Sequence, residues 1–151
     1  MGKKVYIAMS TDIVHEGHIN VINEGSKYGD VIIGLLSDKA IAERKRVPLL
    51  SFEERKLIFE NIKNVSEVVL QDSFDYSENL KSIKPDFVVH GDDWKVGPQQ
   101  DVRAKVIEEL KKWGGKLIEV PYTKGVCATD IEEKTRSLFN TPERRRSLLK
   151  K

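Results

Sequence analysis

The stretch STDIVHEGHINVI, Ser10 to Ile22, sets two of the chain's three histidines, His15 and His18, three residues apart with Gly17 between them. Imidazole can ligate a metal, donate hydrogen bonds to an anion, or pack. A zinc site needs three or four ligands, and His90 and Cys127 are the other soft candidates. Phosphate binding asks for less. The histidines stand where a helix begins, and helix starts offer free N–H groups and a partial positive charge. A spacing of three puts both rings on one helical face, and Gly17 would let a ligand come close. Three further clusters could join them. These are the basic run ERKRV with Arg44, Lys45 and Arg46, then HGDDW from His90 to Trp94, then the polar stretch Tyr122 to Thr129.

The elements that must position these groups follow from hydropathy. KVYIAM reads as a strand ending near Met9, and HINVINEGSKYG as a helix stopped by Gly29. DVIIGLLSD is apolar on successive residues, the pattern of a strand covered on both faces. In SFEERKLIFENIKNV, Ser51 and Glu54 form a capping box, and Leu57, Ile58, Ile62 and Val65 recur at helical spacing. SEVVLQ, DFVVHGDD and KLIEVPY read as further strands. SENLKSIK, ended by Pro85, then QDVRAKVIEELKKWGG and ATDIEEKTRSLF read as helices. Five alternations predict an α/β fold, a five-stranded parallel sheet with helices on both faces. Right-handed crossovers place all strand C-termini on one edge, where such sheets bind ligands. The clusters after strands one, four and five all fall there.

Composition narrows the class. The chain has 151 residues, about one domain, with 39% apolar and 33% charged residues. No apolar run nears the roughly 20 residues of a membrane span. The start MGKKVYIAM lacks the core and cleavage site of a signal peptide, and one cysteine forms no internal disulfide, so a cytoplasmic setting is expected. The net charge is +2, yet the last eleven residues, TPERRRSLLKK, carry five basic groups and one acid. The rest is therefore mildly acidic, which argues against a nucleic-acid partner. The domain is expected over residues 1–140, with 141–151 a basic tail.

STDIVHEGH resembles the strand-to-helix turn of the cytidylyltransferase-like nucleotidyltransferases, whose hallmark is H-x-G-H. HGDDW, the SFEERKLIFENIKNVSEVV segment and TKGVCATDI match further family motifs in order, over residues 4 to 134. MSTDIVHEGHINVINE, LLSDKAIAERKRVPLLSFEER and WGGKLIEVPYTKGV look most like the cytidylyltransferase domain fused to phosphoenolpyruvate mutase in phosphonate biosynthesis. TPERRRSLLKK resembles the connector to that barrel.

The resemblance implies a Rossmann-like fold and a reaction in which CTP and a small phosphonate, such as 2-hydroxyethylphosphonate, give a CMP-phosphonate and pyrophosphate. It implies catalytic roles for His15, His18, Lys45 and Arg55. It implies nucleotide contacts from Met9, Ser10, Thr11, Asp12, Gly17, Gly91, Asp92, Asp93, Thr123, Gly125, Ala128 and Thr129. Acceptor contacts are implied for Arg44, Arg46, Trp94 and Tyr122. Magnesium is expected on the triphosphate, with no protein metal site. No membrane partner is implied; a homodimer and a fused mutase are. Three departures bear on this. Met9-Ser10-Thr11 stands where relatives often carry a glycine. Cys127 and Ala128 replace two hydroxyl residues. Tyr122 replaces the arginine of the glycerol-3-phosphate enzymes, which speaks against that acceptor. The alternatives are cytidylyl or adenylyl transfer to a phosphate monoester, or a weakly active nucleotide-binding domain serving a fused mutase.

Overall fold

The computed structural model describes residues 2–121, 123, 128–135, 142, 143 and 146. Its elements run β1 (Lys4–Met9), α1 (Glu16–Ser26), β2 (Asp30–Leu36), α2 (Asp38–Ala42), α3 (Phe52–Glu60), β3 (Val65–Gln71), α4 (Ser77–Ile83) and β4 (Phe87–Gly91). A 3-10 turn (Asp92–Lys95) follows, then α5 (Gln100–Lys111), β5 (Lys116–Val120) and α6 (Ala128–Lys134). The strands form one parallel sheet in the order β3-β2-β1-β4-β5. This is the predicted Rossmann-like α/β architecture. Of the expected basic tail, 141–151, all but residues 142, 143 and 146 lie outside the described residues.

Alternation along β1 builds both layers. Val5, Ile7 and Met9 face the side covered by α1 and α3, where Ile22 and Phe59 join them. Tyr6 faces the opposite side, with Leu80 of α4 and Val102, Val106 and Leu110 of α5. Strand β2 is central, and six of its seven residues are buried, which is why it reads as unbroken apolar sequence. Tyr6 crosses close above β2. A Cβ on Gly34 would sit 1.8 Å from the Tyr6 hydroxyl, so only glycine admits the ring. That hydroxyl donates to Gln71 Oε1 and accepts from Asn79 Nδ2 at 3.0 Å, satisfying a buried polar group.

Two features depart from the sequence reading. Helix α2 is short, five residues capped by Ser37, whose Oγ accepts from Ala40 N; no periodicity announces so short an element. In α3 the Ser51 half of the expected capping box forms, its Oγ accepting from Glu54 N at 3.3 Å, while Glu54 Oε1 accepts from the Ser51 hydroxyl. Yet Leu57 is 65% exposed and the buried face consists of Arg55 and Phe59. An arginine counted as polar hid the true face.

All strands run parallel, and the order in which they are added reverses between β1 and β4. Those strands pair only through Val5↔Phe87 and Tyr6↔Val88. Beyond that their C-terminal ends are unpaired with each other, leaving a crevice bordered by Ile7–Met9 and Val89–Gly91. Among the described residues no helix is long and apolar enough to cross a membrane.

Candidate active site

The crevice widens into a cavity of about 650 Å³. His15 and His18 stand on one wall. His15 is the N-cap of α1, in extended conformation, and is not within the helix. Its Nδ1 accepts from Gly17 N at 3.1 Å, and His18 Nδ1 accepts from His15 N at 3.2 Å. A ring nitrogen that accepts from an amide carries no proton. Both neutral imidazoles therefore hold their proton on Nε2. Their rings lie 3.9 Å apart, tilted by 43°. Burial, then the neighbouring charges of His15 and Lys45, push the His18 pKa down to about 4. Burial also lowers His15, against the pull of Glu16. The pair is thus two aimed N–H donors, neutral at physiological pH.

The role of Gly17 differs from the expected one. A Cβ there would lie 2.8 Å from His15 Cε1 and 3.0 Å from Nδ1. The glycine makes room for the His15 ring rather than for a ligand. The Gly17 amide is likewise consumed by the cap, so anion binding at this helix start falls to the imidazole Nε2–H groups. Asn20 Nδ2 donates to Thr123 Oγ1 at 3.2 Å, drawing the chain after β5 towards α1. Thr123 lines the cavity.

The basic run supplies the opposite charge. Lys45 Nζ donates to Ser10 Oγ at 2.8 Å, beside the end of β1. Desolvation in the cavity lowers its pKa while Asp93 opposes that. Arg46 pairs with Asp12 Oδ1 at 2.9 Å and also with Glu132 of α6. Burial alone would raise Asp12, but bonds from Arg46 and the Leu49 and Leu50 amides prevail and hold it below the ordinary carboxylate range. Asp12 therefore fastens the loop after α2 to the loop after β1. Arg44 points elsewhere, into an adjoining pocket with Pro98, Gln99 and Asp101, and pairs with Asp101 at 3.4 Å. Lys45 and Gln99 border both spaces.

Past β4, His90 Nδ1 lies 2.7 Å from Gly91 O. A carbonyl oxygen only accepts, so His90 carries its proton on Nδ1, the reverse of His15 and His18. Its ring is stacked on Trp94, 3.7 Å between centroids and within 3° of parallel. Trp94 Nε1 donates to Glu119 Oε2 at 2.9 Å, and Arg103 pairs with Glu119 at 2.8 Å. Burial lowers the pKa of His90.

Some of the expected site residues do not line the cavity. Trp94 is 2% exposed and does not line the cavity; it supports His90 from behind. Arg55 is 1% exposed and also outside it. Its guanidinium donates to Leu36 O at 2.9 Å, Leu50 O at 3.3 Å and Asp38 Oδ1 at 2.6 Å, so it ties α3 to the end of β2. Asp92 stands off the cavity, whereas Met9, Ser10, Thr11, Gly91 and Asp93 line it. Ala128 and Thr129 lie in α6; their side chains, and all of Tyr122, Gly125 and Cys127, fall outside the described residues. The wall also holds Phe74, Tyr76, Gln99 and Glu132. No motif flags these residues, because they arrive from three separate segments. Among the described residues no three His, Cys, Asp or Glu gather as metal ligands.

Residues 10–134 match the cytidylyltransferase-like family. A FAD synthase of Methanopyrus kandleri is 32% identical over 124 residues, 80% of this chain and 79% of that protein. An ethanolamine-phosphate cytidylyltransferase of Dictyostelium discoideum is 32% identical over 130 residues, 85% of this chain but 35% of that longer protein. The fold matches a lipopolysaccharide core biosynthesis protein from Thermoplasma volcanium with a TM-score of 0.70 at 22% identity, covering 82% of this chain and 100% of that one.

Proposed function

The chain belongs to the cytidylyltransferase-like family and is a nucleotidyltransferase, and on that premise we propose that it transfers CMP from CTP to a small phosphonate, such as 2-hydroxyethylphosphonate. The observation that carries nucleotidyl transfer is the pair of neutral Nε2–H imidazoles lining one cavity with Lys45 at the point where the strand order reverses. The preference for CTP and a phosphonate rests on the likeness of MSTDIVHEGHINVINE and HGDDW to the domains fused to phosphoenolpyruvate mutase.

In this reading a phosphonate oxygen attacks the α-phosphorus in line. A new P–O bond forms as the bond to the bridging oxygen of the pyrophosphate breaks. The attacking oxygen is already anionic, so no general base is needed; two anions must be held together and charge on the leaving group stabilised. His15 and His18 donate Nε2–H to phosphate oxygens where that charge grows. Being neutral, they spend no proton in doing so. Lys45 neutralises the approaching acceptor, with Ser10 holding its ammonium in place. Magnesium would come with the triphosphate and screen its charge; among the described residues Asp93 is the cavity carboxylate not paired with Arg46 and would be placed to face the ion.

The homodimer and the fused mutase remain part of the proposal. The likeness to an ethanolamine-phosphate cytidylyltransferase favours one other reading, a phosphate monoester as acceptor. The likeness to a FAD synthase keeps ATP in the panel, since FAD contains an AMP unit.

Pyrophosphate release with CTP or ATP against phosphonates and phosphate monoesters tests the proposal. CTP with a phosphonate should turn over fastest, and His18→Ala should lose at least about a hundredfold in kcat, the scale for one donor to developing charge. Faster turnover with ATP, or with a phosphate monoester, would move the assignment. An unimpaired His18→Ala enzyme would remove the clamp from the mechanism.

A further inference from the structure

Three histidines border one cavity, and they do not present the same chemistry. His15 and His18 turn Nδ1 to backbone amides and keep Nε2–H as donors. His90 gives its Nδ1–H to Gly91 O, which leaves a lone pair on Nε2. That nitrogen finds no partner among the described residues, while the ring lines the cavity. A lone pair repels phosphate oxygens, so a neutral His90 is no third member of the phosphate clamp. It is built to receive a hydrogen bond from a ligand O–H or N–H.

The ring is held for that purpose on three sides. The Gly91 carbonyl fixes its rotation, the Trp94 indole fixes its plane at 3.7 Å, and Glu119, pinned by Arg103, fixes the indole. Such support keeps an acceptor atom in one place without ligand-induced reordering. Its position selects which part of the ligands it meets. His90 stacks on Trp94, whose ring lies 6.0 Å from that of Tyr76, and Tyr76, Phe74 and Lys45 line the same cavity. Lys45 Nζ lies 5.9 Å from the Phe74 ring. An acceptor whose anion rests on Lys45 has its tail between those aromatic rings and His90.

Resting on the reading of the site as a phosphonate cytidylyltransferase, we propose that His90 is the residue that selects the acceptor's tail, taking through Nε2 a hydrogen bond from a hydroxyl or ammonium group on it. Burial, the main influence that lowers the His90 pKa, keeps the lone pair available. Asp93 stands beside it, 3.9 Å from Nδ1, and would add attraction for an ammonium group over a hydroxyl.

The test compares 2-hydroxyethylphosphonate, 2-aminoethylphosphonate and ethylphosphonate as acceptors with CTP, in wild type, His90→Phe and His90→Gln. Phenylalanine keeps the stack on Trp94 and removes the acceptor atom; glutamine returns an acceptor oxygen without the ring. Wild type should favour the better donor-bearing acceptor over ethylphosphonate by about 10- to 100-fold in kcat/KM. In His90→Phe that ratio should collapse towards one through acceptor KM, with the KM for CTP unchanged. His90→Gln should restore part of it. The proposal is overturned if wild type does not discriminate, a result that needs no variant to fold. It is also overturned if His90→Phe raises the KM for CTP instead, which would place the nucleobase against His90. Absence of turnover with every phosphonate, alongside turnover of a phosphate monoester, overturns the underlying phosphonate reading; discrimination lost among phosphonates that do turn over overturns the role of His90 alone.

Discussion

Substituting Gly17 by alanine separates the geometry of the clamp from the stability of the fold. The new Cβ would stand 2.8 Å from His15 Cε1, a contact that real Cβ atoms essentially never make, and a tight 3.0 Å from Nδ1. The ring is the movable partner, so it must swing away by several tenths of an ångström or more. That breaks the 3.1 Å bond from Gly17 N, a cap worth about 1 kcal/mol. Alanine in a helix's first turn recovers roughly 0.4–1 kcal/mol by restricting the unfolded chain. The two terms nearly cancel, and at about 2–4 °C per kcal/mol for a chain of this size Tm should move by only a few degrees. Activity should not be spared. A donor displaced on the scale of about 1 Å costs on the order of 100-fold in rate. Pyrophosphate release and a thermal melt on the same preparation measure both. Full activity in Gly17→Ala would refute the claim that the glycine exists to seat His15. A fall of Tm by ten degrees or more would refute the claim that its role is local.

Arg55→Ala should act in the opposite way. It strips a buried cation from Leu36 O, Leu50 O and Asp38, costing about 3 kcal/mol or more, while the KM for CTP of the folded fraction stays put; a selective KM rise would return Arg55 to the binding site. His18 sets a pH dependence. Its folded pKa of about 4 lies below the unfolded value near 6.5, so the unfolded chain takes up the proton first. The stability is whole above pH 6.5 and is lost as pH falls through the window towards 4, by about 2 kcal/mol at pH 5. Urea midpoints at pH 7.5 and 5 should differ more for wild type than for His18→Asn, a comparison that removes the shared contribution of the carboxylates; equal differences would contradict the burial argument. Lys45→Met keeps the stem over Phe74 and removes the charge. It should lower kcat/KM by about 100-fold and flatten its salt dependence, and an unchanged salt profile would exclude Lys45 from neutralising the substrates.

The strand pattern was legible because β1 alternates between two cores and β2 is buried on both faces, and both show directly in residue type. The clamp was legible through H-x-G-H, yet its working was not. Sequence suggests a helix face with a bare glycine; the structure has His15 outside the helix as its cap, with both Nδ1 atoms spent on amides. Arg55 and Trp94 misled in one direction, since residue type favours exposure or stacking for each, whereas their partners came from distant segments and buried them. The tautomer of His90 was beyond sequence altogether, because it depends on the rotation of one ring against the carbonyl of the next residue.

The proposed reaction joins CMP to a phosphonate. Phosphorus NMR of wild-type protein incubated with CTP, magnesium and 2-hydroxyethylphosphonate tests it most directly. A pair of mutually coupled resonances from the new P–O–P linkage should rise in step with free pyrophosphate and be absent with His18→Ala. Unchanged CTP and phosphonate signals, or pyrophosphate released without a coupled phosphonate resonance, would contradict it.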